Sequence, residues 1–157
     1  MTYPVIEDGN VFYFETDTQN KVSVEFTDLT HVFESSFPIY CIDIYRFQNI
    51  GRVNEVYGAK TRNTIVGIIK KIFDKYDCAL VAFIDTSTDK KGKARNRLFK
   101  SWFNLYGQKD FLIEPREIII NESESYSLLI FRKSYGNAAL IIDAFDNFIK
   151  LANELDS

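Results

Sequence analysis

The sequence predicts one α+β domain, residues 1–157, in which helices cover a mixed sheet. Short apolar or alternating segments typical of strands occur along the whole chain. Three longer segments repeat apolar residues at helical spacing, and strands alternate with helices in the middle of the chain. The predicted order is β-β-β-α-β-α-β-β-α, in which the two short segments on either side of Pro115 count as one strand. Strand–helix–strand units join parallel strands and hairpins join antiparallel ones, so the predicted sheet contains both.

The N-terminal third is predicted to form a hairpin and a central strand. Val11–Glu15 and the alternating segment Lys21–Phe26 flank the polar stretch Thr16–Asn20, which is typical of a hairpin turn. Asp28–Ser36 has room for one helical turn. Ile39–Phe47 is apolar at both parities, which indicates a strand covered on both faces.

The rest of the chain alternates helices and strands before a closing hairpin and a last helix. Thr61 is the predicted N-cap of the first helix, and Pro115 separates two short strands. In order, the predicted elements are helix Thr61–Tyr76, strand Cys78–Asp85, helix Lys93–Tyr106, strands Phe111–Ile113 and Arg116–Asn121, a turn at Glu122–Ser125, strand Tyr126–Arg132 and helix Asn137–Glu154.

Composition narrows the functional class. A net charge of −3 and a pI near 5.2 argue against a general nucleic-acid coat protein. Cys41 and Cys78 lie in apolar segments, which predicts buried, reduced thiols in a cytoplasmic protein. The N-terminal residues lack the pattern of a signal peptide, and no apolar run approaches the roughly 20 residues that span a bilayer.

The most suggestive segment is a basic loop and helix start after Asp85. Cations in the first turn of a helix are unfavourable by roughly 0.3–1 kcal/mol each, and a bound anion would reverse this penalty. Ser87, Thr88 and Asp89 are the candidate caps, and the free N–H groups of such a turn can hold a phosphate. The alternative is a solvated basic loop with Arg95 paired to Asp85. The cations are Lys90, Lys91, Lys93, Arg95, Arg97 and Lys100.

A second basic helix start follows Gly58, where Lys60, Arg62 and Asn63 open the first predicted helix. If both crossovers are parallel, both helix starts lie at the carboxyl ends of adjacent strands, where open α/β sheets bind ligands. The pair then predicts a cleft for a phosphate or nucleotide. The alternative is that Lys60 and Arg62 are solvated flanking residues.

Other candidate groups form no recognised pattern. Asp43, Asp85 and Asp89 lack the spacing of a metal cluster, and neither cysteine belongs to a metal-binding motif. His31 has no catalytic partner at a recognisable spacing. The sequence therefore predicts no metal cofactor.

From the third predicted strand onward, the order of elements resembles the GCN5-related N-acetyltransferase family. In that family three antiparallel strands lead into a helix, a strand, a helix and a closing hairpin. The segment Asp89–Gly107 also resembles the family's late segment, with Ala94, Leu98, Phe99 and Gly107 in the places of a small residue, a Leu–Tyr pair and a glycine. The resemblance implies an acyl-CoA ligand.

The same resemblance assigns roles to individual residues. The family's pyrophosphate loop, Gln/Arg-x-x-Gly-x-Gly/Ala, aligns with Glu55 to Lys60 and places Gly58 at the phosphate. Phe99 stands where the family has a proton-donating tyrosine, which implies a diverged activity. Tyr106, about two turns further along, and Glu55, as a general base, are the catalytic candidates. The chain also resembles an uncharacterised bacterial family whose helix carries Arg-x-Arg-Leu-Phe, here Arg95 to Phe99.

Three functional hypotheses follow. The first is a diverged acetyltransferase-like domain that binds a phosphate-bearing ligand such as an acyl-CoA or a nucleotide. The second is a non-enzymatic module that uses Lys90 to Arg97 to bind an acidic partner or a nucleic-acid backbone. The third is a structural interaction protein.

Overall fold

The structure, a computed structural model, describes residues 1–47, 58–85, 110–120 and 123–155. The described part forms a mixed α+β fold of seven strands and two helices, which confirms the predicted class at this level. The sheet order is β1-β2-β3-β4-β5-β7-β6. The elements are β1 (Ile6–Asp8), β2 (Val11–Glu15), β3 (Lys21–Asp28), β4 (Ile39–Phe47), α1 (Ala59–Lys75), β5 (Ala79–Asp85), β6 (Phe111–Ile120), β7 (Ser123–Arg132) and α2 (Ala138–Leu155).

The chain divides into two compact units. Unit 1 comprises Met1–Thr27 and Ile42–Asp77, and unit 2 comprises Asp28–Cys41 and Cys78–Ser157. The prediction of one domain stays a prediction. In the described ranges no helix is long and apolar enough to cross a membrane.

Unit 1 is built on antiparallel hairpins. Strand β2 pairs with β3, which confirms the predicted hairpin, and on its other side with β1, which was not predicted. Between β1 and β2 the chain reverses at Gly9, whose φ of 61° is a conformation that glycine adopts without steric cost. Phe12 and Phe14 of β2 and Val22, Val24 and Phe26 of β3 alternate with more exposed residues and are buried.

Unit 2 packs helix α2 against its strands. Strands β5 and β6 are both antiparallel to β7, so they run parallel to each other with β7 between them. This agrees with the predicted parallel direction of the second crossover. Ile141, Phe145 and Ile149 recur every four residues on α2 and contribute to the core of this unit. The other buried members of the core are Phe33, Ile39, Ala79, Val81, Ile118, Leu129 and Phe131.

The structure corrects a helix cap, a strand break and a turn that were predicted from the sequence. Helix α1 begins at Ala59 with Gly58 as its N-cap, so Thr61 lies inside the helix and is buried rather than capping it. Strand β6 continues through Pro115, which pairs with Leu128. Proline is tolerated there because β6 is last in the sheet order. The N–H that Pro115 lacks need not face β7. Ser123–Arg132 is one strand, so Ser123 to Ser125 do not form a turn.

Two other sequence predictions concern helical segments. Phe33 N–H donates to Leu29 O at 3.1 Å, which is the helical turn expected between Asp28 and Ser36. The helix predicted from Lys93 to Tyr106 lies outside the described residues.

Arg116 of β6 joins the sheet of unit 2 to helix α2. Its Nε donates to Asp146 Oδ1 at 2.6 Å, and its Nη2 donates to Asp146 Oδ2 at 3.3 Å. Its Nη1 donates to Glu114 Oε2 at 3.1 Å. Hydrogen bonds from Arg116 to Asp146, and secondarily to Glu114, raise the pKa of the guanidinium. The two-point geometry fixes the helix over the strand, which a single point charge would not do.

The substitution Asp146→Asn is expected to lower the free energy of unfolding by about 1–2 kcal/mol. It weakens a charge-assisted, two-point hydrogen bond that is only partly screened by solvent. Urea denaturation at neutral pH measures the change. Asp143→Asn is the matched control, because Asp143 is exposed on the same helix. Equal losses for both variants would show that the Arg116 contact contributes nothing beyond helix charge.

Asp28 organises the turn that leads from β3 to β4. Its Oδ1 accepts from Thr30 N–H at 2.9 Å and from the Thr30 hydroxyl. Thr30 Oγ1 in turn accepts from Ile39 N–H at 3.1 Å, at the start of β4. The Thr30 hydrogen bonds, with a smaller effect of His31, lower the pKa of Asp28.

Asp28 is therefore expected to make the acid stability of the protein pH-dependent. A lowered pKa in the folded state adds stability above the unfolded pKa, about 4, and this stability disappears as the pH falls through the folded pKa. Asp28→Asn should destabilise the protein at about pH 7 and have a progressively smaller effect as the pH falls below about 4, as measured by thermal unfolding. In a Thr30→Ala background this pH dependence should shrink, and a pH-independent effect of Asp28→Asn would contradict the assignment.

Candidate functional site

The start of helix α1 is the described part of the predicted phosphate cleft. Gly58, the N-cap, is extended at φ −72° and ψ 172°, and it has no side chain with which to cap the helix. The first turn contains no acidic residue, and Lys60 and Arg62 add positive charge to it. Arg62 N–H donates to Gly58 O at 3.0 Å and so closes the first helical turn. The N–H groups before it lie at the positive end of the helix dipole.

Gly58 is not required by the backbone conformation. Its φ is available to any residue, and a Cβ added there would meet no atom within 4 Å. Because glycine has no side chain, the N-cap leaves the first N–H groups of α1 uncovered. Close approach of a phosphate to backbone N–H groups needs that kind of opening.

Lys60 is held by residues from the N-terminal part of unit 1. Its Nζ lies 3.8 Å from Asp17 Oδ1 and 4.4 Å from the centre of the Tyr3 ring. Its side chain is 32% exposed. The lysine is therefore neither a freely solvated flank nor fully committed to a buried ion pair, and its ammonium remains close to the first turn of α1.

Tyr3 fixes the N-terminal segment against the same turns. Its N–H donates to Thr64 Oγ1 at 2.9 Å, and the Thr64 hydroxyl donates to Lys60 O at 2.7 Å. The Tyr3 ring stacks on Phe14 with centroids 5.7 Å apart, and its hydroxyl accepts from Asp17 N–H at 3.3 Å. Sequence reasoning missed Tyr3, Asp17 and Thr64. The available signal was a pair of threonines, Thr61 and Thr64, inside an otherwise apolar helical face, and both are buried.

Arg62 and Asn63 are half-buried on the next part of the helix. Asn63 Nδ2 donates to Met1 O at 3.3 Å. Arg62 Nε and Asn63 Oδ1 are buried atoms, and no hydrogen-bond partner is found for either in the described part of the chain. Both side chains thus keep hydrogen-bonding capacity near the helix start.

Part of the predicted site lies within the described residues. Of the predicted ligand-binding residues, Gly58, Lys60, Arg62 and Asn63 lie together at the start of α1. The convergence of two basic helix starts stays a prediction. The predicted residues outside the described ranges are Glu55, Ser87, Lys93, Arg95, Arg97 and Tyr106.

The usual metal-binding side chains, His, Cys, Asp and Glu, occur in residues 1–47, 58–85, 110–120 and 123–155. Within those ranges no three His, Cys, Asp or Glu residues are grouped so that they could hold a metal ion. The described chemistry of the α1 start is therefore that of backbone N–H groups and cations, which suit an anionic ligand.

A family model matches residues 58–147 and is described as a family of unknown function, DUF6169. The chain belongs to the DUF6169 family. The match begins at the N-cap of α1 and ends inside α2, so the family segment contains the α1 start, β5, β6 and β7. Glu55, Tyr3 and Asp17 lie before it. No curated protein and no solved structure matches the chain.

Proposed function

We propose that this member of the DUF6169 family is a diverged acetyltransferase-like domain that binds a phosphate-bearing ligand, an acyl-CoA or a nucleotide, at the start of α1. The observation that carries the proposal is a helix N-terminus with glycine at its N-cap and with Lys60 and Arg62 in and next to its first turn. Oriented N–H groups, the helix dipole and nearby cations all favour a bound anion.

The chain order of the elements also supports this proposal. Strands β2, β3 and β4 precede α1, strand β5 follows it, and β6 and β7 form a closing antiparallel pair. The acetyltransferase resemblance of the sequence rests on this order together with the predicted helix Lys93–Tyr106, which lies outside the described residues. The resemblance places the pyrophosphate of CoA at Gly58, which is the N-cap of α1.

The chemistry is proposed to be diverged because Phe99 has no proton to donate to a leaving thiolate. Glu55 as a general base and Tyr106 as a proton donor stay the catalytic candidates if the domain is an acyltransferase. Binding can be measured without assigning either catalytic role, so it is the property to measure first.

Calorimetry and thermal unfolding with CoA, acetyl-CoA, ATP and pantetheine test the proposal. CoA or ATP should release heat and raise the melting temperature, and a ligand at a hundred times its Kd should add about 2.7 kcal/mol of stability. Pantetheine is the matched control, because it lacks the phosphates of CoA. Absence of heat and of stabilisation with every phosphate ligand would overturn the proposal, and equal binding of pantetheine would move the site away from the α1 start.

The same samples separate this proposal from binding by the basic segment Lys90 to Arg97. A backbone-binding module would bind duplex DNA with an affinity that falls steeply as salt rises, because bound counterions are released. CoA binding without salt-sensitive DNA binding favours the small-ligand site. The reverse result favours the binding module.

A further inference from the structure

We draw no further inference here: the strongest candidate, the side-chain cluster of Arg62 and Asn63 beside the start of α1, belongs to the site already described, and both side chains are only half-buried, so the absence of a hydrogen-bond partner for Arg62 Nε and Asn63 Oδ1 among the described residues does not indicate a separate ligand.

Discussion

Phe145→Ala is expected to lower the free energy of unfolding by about 3–5 kcal/mol, the usual cost of removing a buried phenyl ring. Phe145 is 0% exposed and lies at the centre of the apolar face of α2. Its ring faces that of Phe33, with centroids 6.5 Å apart, and the Arg116 guanidinium lies 5.9 Å from its centre. The truncation therefore opens a cavity beneath the helix and removes packing beside Arg116.

Urea denaturation followed by circular dichroism measures this loss. Leu140→Ala is the matched control, because Leu140 lies on the same helix but is 59% exposed. The control should change stability by less than about 0.5 kcal/mol. A loss below about 1 kcal/mol for Phe145→Ala would contradict the position of α2 in the core of unit 2.

Gly58→Asp is expected to have opposite effects on stability and on ligand binding. An aspartate at the N-cap accepts hydrogen bonds from the first N–H groups and complements the helix dipole, so it should stabilise the free protein by about 0.5–1 kcal/mol. The same carboxylate occupies those groups and repels a phosphate. Affinity for CoA or ATP should therefore fall by at least about tenfold, equivalent to about 1.4 kcal/mol.

Gly58→Ala is the control for this substitution. Its Cβ meets no atom within 4 Å, and alanine brings neither charge nor a capping group. It should leave the affinity within about threefold of the native value, since less than about 0.7 kcal/mol is at stake. If Gly58→Asp is folded and binds CoA as the native chain does, the ligand does not lie at the start of α1. A variant that loses both stability and binding would contradict the N-cap assignment itself.

Much of the fold could be predicted because the spacing of apolar residues along the sequence reflects which face of a strand or helix is buried. Strands β2 and β4 have the bounds expected from their apolar patterns, and β3 extends the expected strand by two residues. The register of α1 follows from isoleucines at helical spacing, which are buried. Strand β1 was missed because its three residues are all exposed and carry no periodic signal.

Long-range partners explain the other differences. Pro115 ordinarily signals a break, but its position in the last strand of the sheet order makes a continuous β6 acceptable, and that position depends on pairing with β7. Arg116 and Asp146 are likewise distant in sequence, and no local pattern pairs them.

The candidate site was likewise predicted only where its residues are close together in the sequence. Gly58 and the cations Lys60 and Arg62 could be recognised in the sequence because they lie around a predicted helix start. The contacts of Lys60 with Tyr3 and Asp17 were not, because they require the N-terminal segment and the β2–β3 turn to meet α1. Sequence reasoning therefore located the charges of the site without the neighbours that hold them.

The most direct test of the central claim is a backbone amide NMR titration of the native chain with CoA. The account predicts that the largest chemical-shift changes fall on the N–H groups of Ala59, Lys60 and Thr61, and that Gly58→Asp removes them. Binding that leaves these three amides unchanged, or an absence of any shift at saturating CoA, would contradict a phosphate site at the start of α1.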